Sequence, residues 1–161
     1  MTNPQSVIKT ISKLNLFEGL SDEQLSKFTA CSSMVQFSTD EYIFRQNDEA
    51  NKFYILQSGL VNLSTYLVSD ATITLQTVGP FEILGLSWIV SPYVWHFDAK
   101  VTEPVQAIEI DAACARESMD KDHNMGYVLM QRFFSLLVQR LQNTRLQLLD
   151  IYEQSTTPFG A

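Results

Sequence analysis

The stretch Asp40-Glu41-Tyr42-Ile43-Phe44-Arg45-Gln46-Asn47-Asp48, followed by Phe53-Tyr54-Ile55-Leu56 and Gly59-Leu60-Val61, decides the fold. From Ser33 to Ile110 the sequence keeps a period of two, as in Ile43/Arg45, Tyr54/Leu56, Val61/Leu63/Thr65/Leu67, Ile73/Leu75/Thr77 and Val105/Ala107. A period of two sends alternate side chains to opposite faces of a sheet. Turn residues recur between these runs, so seven or eight short strands are expected, forming a closed antiparallel barrel or jelly roll that leaves no free edge. Ser69-Asp70-Ala71 reads as a hairpin tip.

The flanks are helical, which makes the fold class α+β. Val7, Ile8, Ile11 and Leu14 give Ser6 to Leu14 one apolar face. Ser21-Asp22-Glu23-Gln24 reads as a capping box opening a second helix to about Thr29, with Phe17, Leu20 and Leu25 on its buried side. Asp111 caps a helix through Met119, and after a break at Lys121-Asp122-His123 a long helix runs from Met125 to Tyr152. Met130, Phe134, Leu137, Leu141, Thr144, Leu148 and Ile151 recur at steps of four and three, the seam of a coiled coil, and Leu129, Phe133 and Leu136 add a second stripe.

Such a helix spans roughly 42 Å at about 1.5 Å per residue, whereas a body of roughly 120 residues is about 35 Å across. It must overhang. The doubly striped half, Leu129 to Val138, is expected to cover the barrel, and the single stripe from Leu137 to Ile151 to meet the same helix of a second copy. The expected organisation is a sensor domain over 1–122, a dimerisation helix over 123–153 and a flexible tail over 154–161.

Composition narrows the function. A net charge of −7 argues against direct nucleic-acid binding, which draws on clustered cations. No run of about 18 apolar residues and no leader pattern appears, so a cytoplasmic protein with no membrane contact is expected. Cys31 and Cys114 lie at the edges of apolar segments without CxxC spacing, and free buried thiols are the expectation. His96 and His123 fall in different segments with no His-x-His pair, so no metal site and no catalytic residue is assigned. Ser87 and His96 lack the motif context of a nucleophile and its base.

The order of the opening stretch resembles the cyclic nucleotide-binding domain family. Its barrel reads a turn, Glu-x-Ile/Phe, Gly-Asp, an aromatic-Ile-Leu strand and a glycine, and the resemblance covers Leu14 to Tyr152. Where the family pattern has glycine, this chain has Asp40 and Asn47, the side chains that best tolerate positive φ. The resemblance implies a sensor of the catabolite-activator type without its DNA-binding half, in which ligand entry repositions the terminal helix. It also implies a phosphate-binding cassette, Phe-Gly-Glu-x-x-Leu and then Arg-x-Ala-x-Val, with the glutamate on the ribose and the arginine on the cyclic phosphate.

Here Leu84-Gly85-Leu86-Ser87 takes the first position and Phe97-Asp98-Ala99-Lys100-Val101 the second, so Leu86 replaces the glutamate and Phe97 the arginine. Losing one member of a buried charge pair costs about 2 to 5 kcal/mol, a roughly thirtyfold to several thousandfold loss of affinity. Backbone amides at the start of a short helix after Gly85 are expected to keep some attraction for an anion. On a regular strand Phe97 faces the pocket while His96, Asp98 and Lys100 face away, and the blander role for His96 is a bond to Asp98.

The candidate ligand-binding residues are Gly85, Leu86, Ser87, Trp88, Trp95, His96, Phe97 and Asp98, set among Phe81, Ile83, Leu84 and Tyr93. The dimer helix carries Phe134, Leu137, Leu141, Thr144, Leu148 and Ile151. The expected function is a dimeric regulatory module that senses a small molecule other than cyclic AMP, or no ligand. A genuine cyclic nucleotide receptor and a ligand-free scaffold are the alternatives, and no cofactor is assigned.

Overall fold

The computed structural model describes residues 3–68 and 70–156. Asn3 caps α1 (Pro4–Ile11) by accepting the Gln5 amide, with Pro4 in the first turn, where its missing N–H is harmless. A 3₁₀ turn, Asn15–Phe17, leads to α2 (Asp22–Phe28), which Ser21 and Gln24 open with both bonds of the expected capping box. Val7, Ile11, Phe17, Leu25 and Phe28 are buried. Phe28 bridges Phe17 and the sheet residue Phe53, with ring centroids 5.7 and 6.1 Å apart. Burial of a ring this size contributes on the order of 2 to 3 kcal/mol, so Phe28→Ala would unseat the lead-in.

The sheet is antiparallel throughout: β1 (Ser32–Phe37), β2 (Tyr42–Phe44), β3 (Lys52–Tyr66), β4 (Thr72–Val78), β5 (Ile83–Leu84) and β6 (Asp98–Asp111). The path is β1-β6-β3-β4, with β2 on β6 and β5 on β3. Six strands replace the expected seven or eight among the described residues, and the sheet is a jelly-roll-like fold rather than a closed barrel. The reason is visible at Gly59. The β3/β6 register shifts at Leu56/Ser58, Ser58/Leu60 and Leu60/Val61, so bulges absorb the breaks that the sequence reading takes as strand ends. Gly59 has φ +88°, and a side chain there would overlap the Pro104 carbonyl. Asp40 and Asn47 both adopt φ 72°, as their substitution for glycine implies. Asp70 lies in the β3–β4 turn with φ 59°; Ser69 of the expected hairpin tip lies outside the described residues.

The core is built on the paired strands β3 and β6, whose Phe53, Ile55, Leu56, Ala107, Ile108 and Ile110 are fully buried. Asp111 accepts the Cys114 amide at 2.8 Å and starts α3 (Ala112–Lys121). Asp122 then caps α4 (His123–Thr156), its carboxylate accepting the Met125 amide at 3.0 Å and its carbonyl the Gly126 amide at 2.9 Å. The Met125 amide, and then the Gln24 side chain, hold the Asp122 carboxyl below its ordinary range. Gly126 lets α4 approach α3, since a Cβ there would sit 2.9 Å from the Met119 carbonyl.

α4 has 34 residues, about 51 Å at roughly 1.5 Å per residue. Met125, Leu129 and Phe133 are buried and Leu136 is half-buried, whereas every residue from Leu141 to Thr156 is exposed. The overhang is as expected, but its exposed stripe starts earlier. Met130 and Phe134 are 42 and 67% exposed, so only one of the two stripes in the first half covers the sheet. The helix continues to Thr156, past the expected boundary at 153; residues 157–161 of the expected tail lie outside the described residues. No helix among the described residues is long and apolar enough to cross a membrane.

Cys31 and Cys114 are joined as a disulfide rather than free. Folding brings the α2–β1 turn against the first turn of α3, with the two Cα atoms 6.2 Å apart across 83 residues of sequence. Cys31 is exposed and Cys114 half-buried, so the expectation of buried thiols fails on both counts.

Candidate functional site

The cassette begins where β5 pairs with β3, Leu84 opposite Tyr54. Gly85 follows with φ +94°, and a Cβ on it would lie 2.6 Å from the Trp95 ring. The indole therefore rests directly on the glycine backbone. The indole also stacks on Phe44 of β2, with centroids 3.8 Å apart and planes 11° from parallel. Trp95 is 4% exposed. Its loop is tied to the Asn47–Ala50 turn by Asn47 N–H to the Trp95 carbonyl (2.8 Å), Trp95 N–H to the Asp48 carbonyl (2.9 Å) and Ala50 N–H to the Tyr93 carbonyl (2.6 Å).

Past Gly85 the expected short helix is a single turn, closed by Ile89 N–H to the Leu86 carbonyl at 3.3 Å. One turn aligns too few amides to form a helix-end anion site. Leu86 and Ser87 are half-buried, and Leu86 packs on the core. Trp88 is fully buried, stacked on Phe53 (4.2 Å, 8°) and met edge-on by Phe133 of α4 (5.5 Å, 89°). Its indole Nε1 has no hydrogen-bond partner.

The strand parity expected at residues 96–98 does not hold. His96 and Phe97 form a bend ahead of β6, both exposed, with Phe97 at 40%. Asp98, the first residue of β6, is 2% exposed and accepts the Gln46 amide at 2.8 Å and Arg45 Nε at 3.2 Å. A bend resets which side each residue faces, and the carboxylate rather than the phenyl ring goes inside. The acid is therefore satisfied by Arg45 and the Gln46 backbone, and the expected bond from His96 is absent. Lys100 reaches Asp40 at 3.6 Å across the Tyr42 ring. Arg45 lies 3.9 Å over that ring and donates to the Tyr66 hydroxyl at 3.3 Å. Tyr66 is raised above its ordinary value, first by its hydrogen bond with Tyr42.

Two contacts join the cassette to α4. One is Trp88 on Phe133; the other is Arg140, which donates to the Ile83 carbonyl at 2.5 Å. Burial lowers the Arg140 guanidinium against the pull of Glu82, and its Nε has no partner. Arg116 of α3 adds a third strut, 2.6 Å from the Trp88 carbonyl and 4.1 Å over the Tyr93 ring. Sequence reasoning passed over Arg45, Arg116 and Arg140. Arg140 had a signal: it continues the Leu129, Phe133, Leu136 stripe and so falls on the face that meets the sheet.

Two surface clefts lie beside the cassette, one of about 680 Å³ under α4 between Leu16, Phe81 and Arg132, the other of about 520 Å³ between Trp88, Arg116 and Tyr127. Neither is lined by Gly85, Leu86, Trp95, Phe97 or Asp98. Among the described residues no three His, Cys, Asp or Glu side chains gather as a metal site.

The family model for the cyclic nucleotide-binding domain matches residues 34–122, from within β1 to the cap of α4. The chain belongs to the cyclic nucleotide-binding domain family. It is 30% identical to a Geobacter metallireducens GS-15 protein described as cyclic nucleotide-binding, over 88% of this chain and 99% of that one, with a TM-score of 0.73. The sensor domain of the transcriptional regulator DNR from Pseudomonas aeruginosa shares the fold at 21% identity, over 86% of this chain and 93% of that one (TM-score 0.73). The Thermus thermophilus catabolite activator protein does so at 22%, over 86% of this chain and 62% of that one (TM-score 0.68). Comparison with curated proteins finds no match.

Proposed function

We propose that this member of the family is a dimeric regulatory module whose cassette has exchanged its ionic anchorage for an apolar plug, so that it senses a small molecule other than cyclic AMP. One observation carries the reading: the Trp95 indole lies between Gly85 and Phe44, in contact with both. By the family pattern, the glycine-led loop should face a ribose and a cyclic phosphate. Leu86 and Phe97 offer neither a carboxylate nor a guanidinium there, and the nearby Arg45 guanidinium is engaged by Asp98. An entering ligand has to displace the indole, which favours a flat apolar molecule able to take over its stack on Phe44.

The output is α4. Displacement of the cassette loads Trp88 against Phe133 and Ile83 against Arg140, so a ligand that prefers the displaced loop shifts the helix population. Phe134, Leu137, Leu141, Leu148 and Ile151 are 47 to 67% exposed and Thr144 is exposed among them, a stripe suited to the same stripe of a second copy. This reading includes a cytoplasmic location and neither catalysis nor direct DNA contact, in keeping with the acidic charge.

Thermal-shift measurement against cyclic mononucleotides, cyclic dinucleotides and planar apolar metabolites tests it. Stabilisation by a member of the last group alone supports the reading. Stabilisation by micromolar cyclic AMP would refute it, and no response from any compound would favour the second reading, a ligand-free scaffold whose plug is permanent.

A further inference from the structure

We propose that Cys31–Cys114 is a thiol-disulfide latch that sets how firmly the base of α4 is held. The inference rests on the reading of α4 as the output helix and adds a second input to it. Four links tie α2 and the turn after it to α3, one of them the Asp111 N–H donating to the Cys31 carbonyl at 3.1 Å. Cys31, just past α2, is bonded to Cys114 in the first turn of α3; the Ser118 hydroxyl donates to the Lys27 carbonyl at 3.0 Å; Gln24 Nε2 donates to Asp122 Oδ2 at 3.1 Å. Asp122 is the end of α3 and the cap of α4 at once, holding the Met125 and Gly126 amides. The disulfide is the covalent member of this line, and the other links are hydrogen bonds.

Position favours exchange. Cys31 is the exposed partner, open to an attacking thiolate, while Cys114 in the first turn of α3 is half-buried and is the sulfur displaced. A small thiol such as glutathione attacks Cys31 Sγ; the new mixed disulfide forms as the Cys31–Cys114 bond breaks, and Cys114 leaves as thiolate and takes a proton from water. A second thiol attacks the mixed disulfide, leaves as the external disulfide and frees Cys31. Two external thiols are oxidised and two protein thiols appear. In a compartment held reducing by such thiols, a disulfide that persists only when they are depleted serves as a sensor rather than a staple.

The test compares the full chain poised in oxidised and in reduced glutathione, using thiol titration and amide exchange read by mass spectrometry. In the oxidised sample no thiol titrates; in the reduced sample both do, and the segment 122–129 exchanges roughly tenfold faster while β3 and β6 stay protected. The Cys31→Ser and Cys114→Ser variants, each left with one thiol, show the faster exchange of the reduced form over 122–129 in both buffers. Unchanged exchange over 122–129 with both thiols titrating would overturn the latch, as would two free thiols in the oxidised sample. If a serine variant does not fold, the wild-type pair of samples decides alone. Light scattering on the same samples keeps the issues apart, because a monomer in both states refutes the dimer reading without altering the exchange result.

Discussion

Trp95→Ala removes the side chain on which the reading of the cassette depends, and its cost follows from the packing. The indole is 4% exposed, and a side chain of roughly 200 Å² buried at about 25 cal/mol per Å² sets an upper figure near 5 kcal/mol. The stack on Phe44 adds on the order of 1 kcal/mol, but large-to-small replacements of aromatic residues settle at about 3 to 5 kcal/mol. For a domain of this size each kcal/mol moves Tm by about 2 to 4 °C, so a fall of roughly 6 to 20 °C is expected. The vacated space, walled by Gly85 and Phe44, has the shape of an indole. Adding free indole should therefore raise the Tm of Trp95→Ala by several degrees and that of the wild type by much less, as scanning calorimetry would show. A Tm loss under about 2 °C, or an equal indole response from both proteins, would refute the claim that this ring fills the cassette.

Three further outcomes follow from the same geometry. Gly85→Ala should destabilise the fold by more than 1 kcal/mol or so, since a Cβ meets the Trp95 ring at 2.6 Å and φ is +94°; a denaturant midpoint matching wild type would contradict this. Leu141→Glu with Leu148→Glu, both on the exposed half of α4, should give a monomer by light scattering, and an unchanged mass would refute the seam. The Asp122 carboxyl is lowered by the Met125 amide and then by Gln24, so its contribution is fully present above its unfolded value and is lost as pH falls through the folded one. Acid titration of stability should show that loss below about pH 4, and Asp122→Asn should flatten that part of the curve.

The helix caps were legible because each depends on two or three neighbouring residues: Ser21 with Gln24, and Asp111 ahead of α3. The positive φ at Asp40 and Asn47 was legible through the family resemblance, whose pattern has glycine at both positions. Strand count was not, because Gly59 carries a bulge inside one long strand, and a bulge and a turn look alike in a short window of sequence. The run His96-Phe97-Asp98 misled because parity presumes a regular strand, and the bend that resets it is held by the distant turn at Asn47–Ala50. The disulfide joins residues 83 apart and left no spacing signature. Leu86 and Phe97 could be matched to family positions from sequence, whereas the seat of Trp95 required the fold, since Gly85, Phe44 and the indole come from three separate segments.

The most direct measurement is a calorimetric titration of the wild-type chain with cyclic AMP. An apolar cassette closed by Trp95 predicts no saturable heat below roughly millimolar ligand. A one-to-one isotherm with micromolar affinity would contradict the account.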